Sequence, residues 1–170
     1  MITLDLPERH PLENAVVECL PALRGFLARA RRAVPLDGVV SVVLISDRAI
    51  RKLNREFRHL DHATDVLSFP AAPLPGNMSI TKKRAAVSGD LAISVDAAAR
   101  QAERFGHPLQ SELKILLLHG LLHLAGYDHE ADDGEMDAAE EQLRRRFRLP
   151  ALLIARTLRP ASRRAPVVRV

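Results

Sequence analysis

Apolar and polar residues alternate over residues 2–6, which predicts a short strand. The period then lengthens. Over 11–33, Val16, Val17, Leu20, Leu23, Leu27 and Ala30 recur at helical spacing and predict one apolar side of a helix. Gly38 precedes a β-branched run over 39–45, the pattern of a buried strand. Ser46-Asp47 is suited to cap a helix over 48–57. Strands are predicted over 65–69 and 87–94. Between them, residues 70–84 carry Pro70, Pro73, Pro75 and Gly76 and predict a long loop. A helix over 95–105 ends at Gly106. With Ser111 as its N-cap, the next helix, over 112–125, is apolar nearly all round and therefore internal. Asp132-Asp133 open a last amphipathic helix to Arg148, acidic at its start and basic at its end, as the helix dipole favours, and Pro150 stops it.

The order β-α-β-α-β-β-α-α-α predicts a single α+β domain over residues 1–150, a small mixed sheet with helices packed on it. Strand order is not readable from the pattern. Residues 151–170 mix Leu152-Leu153-Ile154 with proline and arginine and are expected to form a disordered tail.

Composition narrows the function. Aromatic residues are 4% of the chain, with no Trp and one Tyr, which disfavours RNA binding by base-stacking platforms and leaves phosphate contacts. Net charge is +4, but residues 149–170 hold five arginines and no acid, so the remaining 148 residues sum to −1. If the substrate is RNA, the tail is expected to add affinity for it rather than chemistry. Two basic clusters remain in the body: Arg24, Arg29, Arg31 and Arg32, and Arg144, Arg145, Arg146 and Arg148. Each is first a solvated helix face and second an RNA contact. The single cysteine, Cys19, excludes an intrachain disulfide, fits a cytoplasmic protein and sits in an apolar-periodic segment as a core residue. No signal-peptide pattern opens the chain, and its apolar runs are too short to span a membrane.

The chemistry concentrates in His119-Gly-Leu-Leu-His123-Leu-Ala-Gly-Tyr-Asp-His129, which holds three of the seven histidines. Histidines four apart share one helix face. Gly126 then allows a left-handed turn that brings His129 back towards the pair. Three neutral imidazoles at one point suit Zn²⁺, with a fourth position for water, the mark of a catalytic rather than a structural site. Buried, hydrogen-bonded core histidines are the bland alternative; the third histidine after a glycine turn weighs against it. The spacing resembles a zincin, but the protease form His-Glu-x-x-His has its general base where this chain has Gly120, which disfavours a peptidase. Asp65 and Asp90, each opening a strand, are candidates to orient a zinc histidine through its second ring nitrogen, as readily as ordinary strand-end aspartates. Asp128 is a candidate to orient His129 or to carry a proton. His59 and His62 read as loop residues, and His10 and His107 offer no metal spacing.

These residues resemble the signature of the YbeY family of bacterial metal-dependent endoribonucleases. Leu53-Asn54-Arg55-Glu56-Phe57-Arg58 with Thr64-Asp65-Val66-Leu67-Ser68-Phe69-Pro70, and Gly89-Asp90-Leu91-Ala92-Ile93-Ser94, match two further blocks of the family. The resemblance runs over about residues 44–148. Its departures are local: Ala63 stands where the family commonly has proline, and His59 and His62 lie outside the pattern. It implies a zincin-like fold with the zinc site at the end of a buried helix. It also implies one Zn²⁺ per chain on His119, His123 and His129, and a functional arginine at Arg58, suited to bidentate contact with phosphate. The implied activity is hydrolysis of single-stranded RNA in maturation of the small-subunit ribosomal RNA 3′ end and in ribosome quality control, with ribosomal RNA and the small subunit as partners. The other classes are a ribosome-binding assembly factor with a structural zinc, and a metallohydrolase of another substrate class such as a peptidase.

Overall fold

A computed structural model describes residues 1–36, 38–71, 87–128 and 134–150. Its elements follow the predicted order: β1 Ile2–Asp5, α1 Glu13–Ala33, β2 Val39–Ile45, α2 Asp47–Arg58, β3 Val66–Pro70, β4 Val87–Ser94, α3 Val95–Phe105, α4 Leu109–Leu124 and α5 Glu135–Arg146. Residues 151–170, most of the loop expected over 70–84, and Asp132-Asp133 lie outside the described residues.

The four strands form one mixed sheet in the order β1-β2-β4-β3. β1 and β4 run parallel to β2, with Thr3 opposite Val43 and Leu44 opposite Ile93. β3 lies antiparallel at the edge, with Leu67 opposite Ala92. The edge position accommodates Pro70, which continues the strand opposite Gly89 instead of opening the loop.

Period-2 alternation divides the sheet between two cores. Val40, Val42, Leu44, Val66, Leu91 and Ile93 face the main core with α1 and α4. Ile45, Leu67 and Ala92 face the other way, against Ile50 and Leu53 of α2. The helix-bearing ends of β2 and β4 are stitched together by their capping groups. Ser46 Oγ accepts from Ala49 N and Ser94 Oγ accepts from Ala97 N. Ser94 Oγ also donates to Asp47 Oδ1 at 2.5 Å, and Asp47 N donates to Asp96 Oδ2 at 2.8 Å. His10 Nε2 closes the set 3.1 Å from Asp96 Oδ1, a structural use of that histidine.

Three local expectations are corrected. Val17 is 47% exposed, and the buried stripe of α1 is Val16, Cys19, Leu23, Phe26, Leu27 and Ala30, which repeats at three and four residues where Val17 does not. Helix α4 starts at Leu109 with Pro108 as N-cap, because Pro108 O already accepts from Ser111 N and Glu112 N. Arg144 does not belong to a solvated face: it is 3% exposed.

Two glycines let α4 lie against the sheet. At Gly89, with φ 145°, a β-carbon would come 2.4 Å from Phe69 O and 2.7 Å from Leu124 Cδ2. At Gly120 it would come 2.8 Å from Leu91 Cδ2 and 3.4 Å from Ser68 Oγ. The second contact explains the missing zincin glutamate. Position 120 faces the sheet, and a carboxylate there would enter the core.

Candidate metal centre

Helix α4 is buried on almost every side, including Leu113, Ile115 to Leu118 and Leu121 to Leu124. Its last two turns carry His119 and His123, whose rings stand 4.7 Å apart between centroids at 79°. The helix then ends as a Schellman turn. Gly126, at φ 94°, donates its N–H to His123 O at 3.0 Å, and Tyr127 N donates to Leu122 O at 3.1 Å. Glycine is required there because the left-handed conformation is costly with a β-carbon. The turn folds the Tyr127 carbonyl back over the helix end, where it lies 3.1 Å from His123 Nδ1.

His119 is held from another direction. Its Nδ1 lies 2.9 Å from Glu140 Oε2, delivered by α5. Both Nδ1 atoms thus face oxygen acceptors, which assigns them the ring protons and leaves a lone pair on each Nε2. The two Nε2 atoms lie 3.0 Å apart. Lone pairs facing each other at that distance repel unless a cation or a proton lies between them. Two imidazoles, each backed by a fixed acceptor, form a donor set that fits Zn²⁺ and similar divalent ions. Among the described residues no group of three or more His, Cys, Asp or Glu side chains converges; His129, the expected third ligand, lies outside them.

Glu140 is 4% exposed. Burial alone would push its carboxyl up. Hydrogen bonds from His119 and Arg144 and the positive charge of Arg144 outweigh burial and hold it down at about 2. Arg144 donates Nε to Glu140 Oε1 at 2.8 Å and adds NH2 to the same oxygen. Glu140 and Arg144 are functional candidates that motif spacing does not reveal, 21 and 25 residues beyond His119. A signal was nonetheless present: Met136, Glu140 and Leu143 share the buried stripe of α5, so a glutamate interrupts an apolar face.

The other expected residues lie as follows. Asp65 accepts from Val66 N at 2.9 Å and from Gln101 Nε2 at 3.0 Å, and Asp90 is exposed on β4. Neither orients His119 or His123; Glu140 and the Tyr127 carbonyl do. Asp128 follows Tyr127 and is half-buried. Arg58 is the last residue of α2, also half-buried, and its neighbour Phe57 packs edge-on against Phe69 of β3 at 5.2 Å. β3 in turn reaches α4, where Ser68 Oγ donates to Gly120 O at 3.4 Å. β3 therefore connects the element bearing Arg58 with the one bearing the histidines. His59 caps α2 at φ 57°, and His62 is tied to the buried Asn54, whose Nδ2 donates to His62 O at 2.8 Å. Both are loop residues, as expected.

A family model described as Endoribonuclease YbeY matches residues 10–148. Proteins called endoribonuclease YbeY are similar along most of the chain. The one from Koribacter versatilis is 50% identical over 140 residues, 82% of this chain and 85% of its own. The one from Helicobacter pylori strain 26695 is 41% identical over 154 residues, 91% of this chain and 98% of its own. The solution structure of TM1509 from Thermotoga maritima matches with a TM-score of 0.50 at 27% identity, covering 87% of this chain and 92% of that one. The chain belongs to the endoribonuclease YbeY family.

Proposed function

We propose that this protein is an endoribonuclease that hydrolyses phosphodiester bonds of single-stranded ribosomal RNA in the cytoplasm, using a Zn²⁺ ion held by His119, His123 and His129. Maturation of the small-subunit RNA 3′ end and ribosome quality control are the processes it serves, and the small subunit is its partner. The observation that carries the reading is the pair of Nε2 atoms 3.0 Å apart, each on a ring whose Nδ1 is already committed. Such a pair has little use in a core and an evident one around a cation. Among the described residues no helix is long and apolar enough to cross a membrane.

When bound, the ion supplies Lewis acidity towards a phosphoryl oxygen and makes water more acidic. The chain's own residues do the rest. Glu140 and the Tyr127 carbonyl hold the ring protons of His119 and His123 on Nδ1, which leaves Nε2 of each ring to serve as the donor. Arg58 grips the phosphate with its planar fork and offsets the charge that grows on the non-bridging oxygens. Asp128 orients His129 or carries a proton. A peptidase of the zincin type is disfavoured twice over: residue 120 has no carboxylate, and its place is filled by contact with Leu91.

Cleavage of a single-stranded ribosomal RNA fragment by zinc-loaded protein tests the reading. Arg58→Ala is expected to slow cleavage by about 100-fold, the scale for losing one group that stabilises transition-state charge. Zinc content and melting temperature should stay nearly unchanged. Unaltered cleavage, or a variant that unfolds, overturns the role given to Arg58. Products bearing 5′-phosphate and 3′-hydroxyl ends are expected from attack by water; a 2′,3′-cyclic phosphate would mean attack by the RNA itself.

A further inference from the structure

Helix α5 presents two Arg–Glu pairs of the same spacing, one residue apart, in opposite surroundings. Arg145 and Glu141 form an ion pair with side chains 78% and 53% exposed. Arg144 and Glu140 form theirs at 3% and 5%. An exposed i,i+4 pair contributes little. A buried one is close to neutral for stability compared with apolar residues of the same size, so stability does not account for it.

The buried pair divides the carboxylate between two tasks. Oε1 takes both Nε and NH2 of Arg144; Oε2 is left to His119 Nδ1 at 2.9 Å. The guanidinium is itself anchored, with NH1 donating to Pro150 O at 3.4 Å. A carboxylate held at one oxygen by a rigid fork cannot rotate the other away from the imidazole. The chain Pro150–Arg144–Glu140–His119 thus runs from the end of α5 to one of the two facing Nε2 atoms.

We propose that Arg144 is a positioning residue of the histidine site, acting through Glu140 to hold His119 as the Nδ1–H tautomer with Nε2 turned towards His123. This rests on the metal reading above and extends it to a residue that touches neither metal nor substrate. Arg145, one position on, has no such role.

The test is zinc affinity, measured by competition with a chromophoric chelator, together with the His119 tautomer read from ring ¹⁵N shifts in the metal-free full-length protein. Arg144→Met is expected to weaken zinc binding about 10-fold, the low end for an outer partner of a ligating histidine. Arg144→Lys should restore only part, because one ammonium cannot reproduce the fork. Arg145→Met should change nothing. Arg144→Met strands the Glu140 charge and is prone to unfold, so Arg144→Lys, which keeps the charge and loses the fork, decides in that event. It should fold, bind zinc more weakly than wild type by less than about 10-fold and show mixed His119 tautomers. Wild-type affinity and an unchanged tautomer in folded Arg144→Lys would overturn the proposal. If the wild-type protein binds no zinc, the metal reading fails, and the tautomer measurement alone decides whether Arg144 positions His119.

Discussion

A histidine faces a buried glutamate at each end of α4, and the two pairs use the imidazole in opposite senses. Before the first turn, His107 points Nε2 at Glu112 Oε2, 3.1 Å away. Its Nδ1 sits 3.5 Å from the carbonyl of the next residue, Pro108, and its ring stacks on Phe105. At the other end, His119 points Nδ1 at Glu140, which turns Nε2 towards a second imidazole, that of His123. Both carboxylates are buried, Glu112 completely. A histidine–glutamate pair in a core therefore does not mark a metal site. The difference lies in which nitrogen the carboxylate takes, and in whether a second lone pair meets the one that remains.

Loss of the rings should separate the two ends of α4 most strongly. His119→Ala and His123→Ala should each reduce zinc affinity by more than the roughly 10–100-fold that loss of an outer partner costs. His107→Ala should leave zinc affinity untouched and lower thermal stability by about 1–3 kcal/mol, because the buried Glu112 loses a partner. Metal titration and thermal melts of the three variants decide. If His107→Ala costs as much zinc as the other two, the two ends of α4 are not distinct.

Loss of the carboxylate charges should separate the two ends by a smaller amount. Glu140→Gln keeps shape and hydrogen-bonding capacity but lets the amide present a donor to His119 Nδ1, so the ring is free to adopt the wrong tautomer. Zinc affinity should fall about 10-fold. Glu112→Gln makes the same chemical change at the other end and should leave zinc binding unaltered in isothermal titration. Equal losses would mean that the orientation of His119 is irrelevant.

What is legible in the sequence follows from the range of the forces involved. Element order was readable throughout because helix and strand periods are local, and β2, β4 and α3 match their predicted bounds. The helix stop at Gly126 was readable for the same reason: a glycine after an apolar run specifies its own turn. Strand order was not, because placing β4 between β2 and β3 depends on contacts distant in sequence. The start of α4 was misjudged because Ser111 is a good cap by type, while Pro108 already satisfies the first orphan N–H groups. At the site, the four-residue spacing of His119 and His123 was legible, and its support was not. Asp65 and Asp90 are aspartates near the right strands, yet the orienting groups are a main-chain carbonyl, which no side chain announces, and a glutamate from another helix. Arg144 was read as solvated because arginine usually is; its burial against Glu140 and the Pro150 carbonyl is a tertiary feature.

The smallest expected effect is in acid. The Glu140 carboxyl lies below its usual value of 4.5, at about 2, chiefly because of its hydrogen bond from His119 and the charges around it, against the opposing effect of burial. A depressed carboxyl stabilises the fold above its unfolded pKa, and that contribution is lost as pH falls through the folded value. The stability margin of the metal-free wild-type protein over Glu140→Gln should therefore be flat from neutrality to about pH 5 and shrink only below that. At pH 4 the loss is under ~1 kcal/mol, since most of the shift lies at lower pH still. Denaturant melts of the two proteins between pH 7 and pH 4 measure it. A margin that narrows between pH 7 and pH 6 would point to a histidine as the titrating group; one that stays constant to pH 4 and below would mean that Glu140 is not held ionised by its partners.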